Sequence, residues 1–357
     1  MPVEGDLQPP FEIPQGIIPG PKVMKQNQII GLIIISCLLV SGGAWYLQSV
    51  QKPAPIAVTD IRIDPGKGVT PTLLFVARDQ GYFAQHGLNV TFVESPSATV
   101  ALQNLLDRKN DFGFVNDYSL SEPHLYNKNL VVIGTLSQSD TSSVVGRRDR
   151  GISQVSDLEG KKIGVTNGSI VEYLMDRFFT LKGISLHSVT VVYYPPAELV
   201  TALTRGDVDA AFSFEPYVYQ MQQQMGENAV VWPVNLGQHA HYSLVTNGDT
   251  LQEHPQIVEG LLASALLAEL YASSHPEETR IIAQKQTNYD DKYMDQDWQK
   301  HDFSVGLSQS LVRSMEDETR WRVRNNLTNA SDVPDFSKYI APEPLYRLKP
   351  ASVTIIR

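Results

Sequence analysis

Four short turns gather most of the hydroxyl, amide and carboxylate groups that could hold a small molecule, and each follows a run of apolar residues. The richest is Gly164-Val165-Thr166-Asn167-Gly168-Ser169, where a strand pattern runs into small residues and opens a helix pattern. Ser169 could cap that helix, and Glu172 three positions later completes a capping box. Free backbone N–H groups and the helix dipole could then hold an oxyanion, or the segment is a plain βα turn with a good cap. Ser95-Pro96-Ser97-Ala98 is a similar turn in the first half, so two helix N-termini could face one cleft. In Asn116-Asp117-Tyr118, Asp117 could accept from a ligand ammonium or hydroxyl, or cap the helix that follows. Glu215 is a ligand carboxylate or an N-terminal helix charge, next to Pro216 in a first helical turn. Tyr217 stacks on a ligand or packs in the core. His239 and His241, two apart on a strand, would share one face, but a metal site would need a further ligand beside them.

Other chemistries lack their signatures. No nucleophile elbow, P-loop or glycine-rich dinucleotide fingerprint occurs. The formal net charge is -10, without the basic stripe of a nucleic-acid binder, and no cofactor or metal is expected. Cys37 is the sole cysteine, which excludes an intrachain disulfide and a cysteine-based zinc site.

The elements that must carry these turns alternate. Strand patterns are expected at 61–63, 88–93, 111–115 and 131–135, and helices at 72–80, 98–107 and 119–127. The pattern repeats with strands at 162–165, 189–193, 208–212 and 230–232, and helices at 169–182, 197–204 and 216–225. Such βαβ alternation predicts mostly parallel sheets in an α/β fold of two halves. A strand at 242–246 leads back to a helical C-terminal part, with helices at 257–271, 307–315 and 319–326. Ligands of open α/β sheets bind beyond the carboxyl ends of the strands, where the turns lie.

Residues 29–47, IIGLIIISCLLVSGGAWYL, form an uncharged stretch of 19 residues. An α-helix needs about 20 apolar residues to cross a bilayer, so a transmembrane helix is expected, with a cleaved signal or a lipoprotein signal as alternatives. Lys22 and Lys25 before it set the N-terminus inside and everything after residue 50 outside. Residues 1–28, with six prolines, read as a disordered tail, and 48–57 as a linker.

TLLFVARDQGYFAQHGLNVTFV (72–93), SDLEGKKIGVTNGS (156–169), PPAELVTALTRGDVDAAFSFEPY (195–217) and SQSLVRSMEDETRWRVRNNLT (308–328) carry a resemblance. In order and spacing they resemble the extracytoplasmic solute-binding proteins of ABC importers, in the nitrate/sulfonate/taurine and thiamine-precursor-binding group. The resemblance implies a type II periplasmic-binding-protein fold, with 58–145 and 241–357 as lobe 1, 146–240 as lobe 2 and a hinge between. It implies a small polar solute, a permease and ATPase subunits as partners, and no enzymatic activity. Ligand contacts would come from Thr70, Thr72, Ser95, Ser97, Ala98, Asn116, Asp117, Tyr118, Thr166, Asn167, Gly168, Ser169, Glu215 and Tyr217. Asp64-Pro65-Gly66 departs from the group's usual glycine-aromatic pair. A ligand sensor for a signalling partner and a thiamine-pyrimidine synthase on the same fold are the alternatives; the synthases' cysteine-rich motif is missing here.

Overall fold

The computed structural model describes residues 58–95, 97–122 and 129–356. The expected tail, transmembrane helix and linker lie outside the described residues. The chain opens with β1 (Thr59–Asp64), α1 (Thr72–Asp79), α2 (Tyr82–Gln85), β2 (Leu88–Phe92), α3 (Ala98–Leu106), β3 (Phe112–Asn116) and α4 (Asp117–Leu120). It continues through β4 (Leu130–Ser139), β5 (Ser142–Arg147), β6 (Lys162–Val165), α5 (Ile170–Lys182), β7 (Thr190–Tyr193), α6 (Pro196–Arg205), β8 (Ala210–Phe214), α7 (Tyr217–Met225) and β9 (Ala229–Pro233). The last part is β10 (Ala240–Asn247), α8 (Gly248–Glu253), α9 (Pro255–Ser274), α10 (Pro276–Thr287), α11 (Asp291–Asp297), β11 (His301–Asp302), α12 (Gln309–Arg324) and α13 (Glu343–Leu348).

Two sheets result, in the orders β11-β4-β10-β3-β1-β2 and β7-β6-β8-β5-β9. Each is parallel on one side (β1 with β2 and β3; β6 with β7 and β8) and antiparallel on the other (β10 with β3 and β4; β5 with β8 and β9). The expectation of mostly parallel sheets is therefore corrected. The antiparallel pairs come from β10, which returns after the second sheet to lie between β3 and β4, and from β5, which lies between β8 and β9. Sequence patterning stopped β4 at Thr135 and overlooked β5 because both are rich in serine. Two of the polar side chains of β4 are matched inside: Thr135 Oγ1 meets Ser243 Oγ at 2.8 Å, and Ser137 Oγ donates to the Thr70 carbonyl at 2.8 Å.

The expected helix at 119–127 stops at Leu120, where the Ser121 hydroxyl folds back on the Tyr118 carbonyl. The two helices expected at 307–315 and 319–326 are one, α12. Its buried side chains Leu311, Val312, Met315, Thr319 and Trp321 recur at helical spacing across the acidic segment between them.

The first sheet is cored by residues such as Ile63, Leu73, Phe112, Ile133 and Leu261, all fully buried. The second has a core on each face, one around Phe178, Phe179 and Phe212, the other around Leu199, Leu203 and Val208. α9 has 20 residues and a mean hydropathy of 1.3, enough by length and composition to cross a membrane. Val258, Leu261, Leu262, Ala265 and Ala268 of α9 are completely buried and the helix packs on α1, so it is a core helix.

Candidate functional site

The chain passes between the sheets at 140–141 and again between β9 and β10. Ser142, just after the first passage, pairs with Phe214 at the end of β8. Tyr242, just after the second, pairs with Asn116 at the end of β3. The carboxyl ends of the parallel strands in both sheets thus turn toward the passages, the position at which open α/β sheets bind ligands. Asp64, Asn116, Val165 and Phe214 end β1, β3, β6 and β8.

At these ends several buried polar atoms lack a hydrogen-bond partner among the described residues: Asp64 Oδ2, Thr166 Oγ1, Ser213 Oγ and the Tyr118 hydroxyl. Asp64 is 1% exposed, and its other oxygen accepts from Gly66 N at 3.0 Å. Buried polar atoms left without partners are uncommon and call for an explanation.

The Thr166–Ser169 turn is built differently from the capping box. Ser169 stands at the N-cap, but its Oγ donates to the Thr166 carbonyl at 2.6 Å. Glu172 Oε2 instead takes the Gly168 N–H at 2.7 Å, and its Oε1 takes the Tyr193 hydroxyl at 2.9 Å. Burial and that carboxylate push the Tyr193 phenol up to about 12. Asn167 and Gly168 are exposed.

Asp117 is 1% exposed and neither free for a solute nor a conventional cap. Oδ2 accepts from His241 N at 3.1 Å and meets Nδ1 at 3.0 Å, while Oδ1 accepts from Tyr118 N. His241 Nε2 lies 2.9 Å from Ser310 Oγ. The expectation that His239 and His241 share one face is corrected: His241 is 2% exposed in β10, whereas His239 precedes the strand and pairs with Asp140 outside. Among the described residues no group of three or more His, Cys, Asp or Glu side chains could hold a metal ion.

Glu215 is held by Lys300 Nζ and by Tyr219 N at 3.0 Å. Burial raises its carboxyl, and the ammonium of Lys300 pulls it back. Tyr217 packs edge-on to Phe214 at 5.4 Å. Thr70 is buried, with its carbonyl taken by Ser137, and Thr72 turns its hydroxyl to the Val69 carbonyl. Ser95 accepts from Asn104, and Ser97 Oγ accepts from Val100 N as the cap of α3, whose first residue is Ala98. Asn116 caps α4 through Ser119 N.

Two bridges join the segments on either side of the passages. In one, the Tyr118 ring stacks with Tyr173 at 6.5 Å under the Arg322 guanidinium, 3.9 Å away. Trp321 lies 5.7 Å from Tyr173, and its Nε1 donates to Asp176 Oδ2 at 2.6 Å. Burial raises both phenols above their ordinary range. In the other, Tyr219 meets Tyr293 edge-on at 5.2 Å beside the Glu215–Lys300 pair. A cavity of about 570 Å³ lies along this second side, lined by Ser139, Asp140, His239, Lys300 and Asp302 among others.

Sequence reasoning missed Asp64, Ser213, Lys300, Trp321 and Tyr173. Only Asp64 carried a signal, as the break in the first-turn pattern.

The NMT1/THI5 like family profile matches residues 70–279. This chain belongs to that family. A Bacillus subtilis protein named as a candidate aliphatic sulfonates-binding protein is 25% identical over 261 residues, 71% of this chain and 76% of that one. A Brucella abortus candidate binding protein is 24% identical over 216 residues, 59% of this chain, and this chain spans 66% of that relative's length. An enzyme is also similar: the 4-amino-5-hydroxymethyl-2-methylpyrimidine phosphate synthase of Aspergillus parasiticus, 28% identical over 143 residues, 40% of this chain and 41% of that one. The Escherichia coli periplasmic aliphatic sulphonate binding protein SsuA superposes with a TM-score of 0.68 at 17% identity, covering 79% of this chain and 97% of its own. The fold of this NMT1/THI5-like chain is accordingly periplasmic-binding-protein-like.

Proposed function

We propose that this chain is the solute-binding component of an ABC importer, with the type II form of the fold. Residues 58–145 with 241–357 would form one lobe and 146–240 the other, closing on a small polar solute about the two passages. The observation that carries the reading is the set of buried, unpartnered polar atoms on Asp64, Thr166 and Ser213, drawn from the strand ends of both sheets. A bound solute supplies the missing hydrogen bonds, and closure then removes it from water. The relatives named as binding proteins support transport over catalysis. The solute would be passed to a permease driven by ATPase subunits. The 29–47 segment would hold the binding domain at the outer face of the membrane.

Ligand-induced stabilisation tests this. A solute that binds only the folded state adds about 2.7 kcal/mol of stability at a hundred times its Kd. A screen of sulfonates, nitrate, amines and pyrimidines against the purified full chain should contain at least one that raises Tm. A screen in which every melting curve coincides with the ligand-free one defeats the proposal.

A further inference from the structure

We propose that the solute is a hydrogen-bond donor, bearing an amine, a guanidinium or an amino-substituted ring, and that the site rejects sulfonates. This rests on the solute-binding reading above. A sulfonate needs free N–H groups, the positive end of a helix dipole or a free cation. Each helix that opens at a β3, β6 or β8 end already supplies its own carboxylate acceptor. Asp117 Oδ1 takes Tyr118 N, Glu172 Oε2 takes Gly168 N and Glu215 Oε2 takes Tyr219 N. Each of those carboxylates takes one amide at its helix opening and opposes a second anion. Lys300 is committed to Glu215, and Arg322 to Glu122 and the Tyr118 ring, while Lys67 in the turn after β1 is exposed.

The carboxylates are not all balanced in return. Asp64 and Glu172 have no ion pair with a cationic side chain among the described residues. Glu172 is satisfied by an amide and a phenol. Asp64 is buried with one oxygen unpartnered at the end of β1. An ionised carboxylate only accepts hydrogen bonds, so its natural complement is an N–H or a cation. The Thr166 and Ser213 hydroxyls can donate or accept and do not discriminate. Asp64 therefore sets the sign of the solute.

Calorimetric titration of the full chain compares donor probes (4-amino-5-hydroxymethyl-2-methylpyrimidine and agmatine) with anion probes (isethionate and nitrate). A donor probe should bind and the anions give no heat. Asp64→Asn, which keeps an oxygen for Gly66 N, should weaken the donor at least tenfold while its ligand-free melting temperature stays at or above that of the parent. Glu172→Gln should weaken the donor too without creating isethionate binding. Isethionate or nitrate binding that Asp64→Asn leaves unchanged or tightens overturns the donor class but leaves solute binding intact. Failure of all four probes, with no small molecule released from freshly purified chain in native mass spectrometry, sinks the solute-binding reading itself.

Discussion

Asp117 shows what a single residue hides from sequence. Its neighbours allowed a ligand contact or a helix cap, yet its main partner is His241, and no local spacing announces that pairing. Removing the imidazole would leave a buried carboxylate short of a donor. His241→Ala should therefore cost about 1.5–3 kcal/mol in urea unfolding, the value of a hydrogen bond to a buried charge. A loss below a few tenths of a kcal/mol would show that the carboxylate finds another donor. Glu318, on α12, is fully buried near Asp117, with Arg322 and Asp317 around it, and burial raises its carboxyl well above the ordinary range. In the unfolded chain it would titrate near the usual value of about 4.3. Between that pH and its folded value the native state binds the extra proton, so stability from this group falls as pH rises. Glu318→Gln should abolish that fall. The variant should gain on the parent steadily as urea midpoints are followed from pH 4 to 8, and parallel curves would refute the assignment.

Elements were legible where one local rule decided them. β6 was read residue for residue because KIGV lies between charged and small polar neighbours. α5 ends as expected at Gly183, whose φ of 72° suits a residue without a Cβ. β4 and β5 were not legible, because their serines are buried and a polar sequence then passes as a loop. The same crowding makes β5 sensitive. A methyl at Gly146 would stand 2.7 Å from Ile152 Cγ2 and 3.2 Å from Val230 Cγ1. Gly146→Ala should destabilise by about 1–3 kcal/mol, as overpacking of a tight core does. Ile152→Val in the same chain should recover part of that loss by making room. No recovery in the double variant would place the strain elsewhere.

At the scale of the whole molecule, the alternation of strand and helix patterns made the α/β fold legible, while the bridges across the passages were beyond sequence reasoning. They join residues far apart in the chain, such as Asp176 with Trp321, whose types are common in any core. Taken with the proposed closure, these bridges hold the two halves together. Trp321→Phe tests this with little loss of bulk, because it keeps an aromatic ring against Tyr118 and Tyr173 while removing the N–H that Asp176 accepts. If the bridge favours the closed arrangement, the variant populates it less, and apparent affinity falls in proportion to that fraction. The expected outcome is a larger radius of gyration by solution X-ray scattering without solute, a several-fold weaker Kd, and a radius that returns to the parent value at saturating solute. Asp176→Asn, which still offers an oxygen to the indole, should lie between parent and Trp321→Phe. Scattering curves and affinities that superpose for all three chains would reduce the bridge to ordinary packing and leave the Glu215–Lys300 side to hold the halves together.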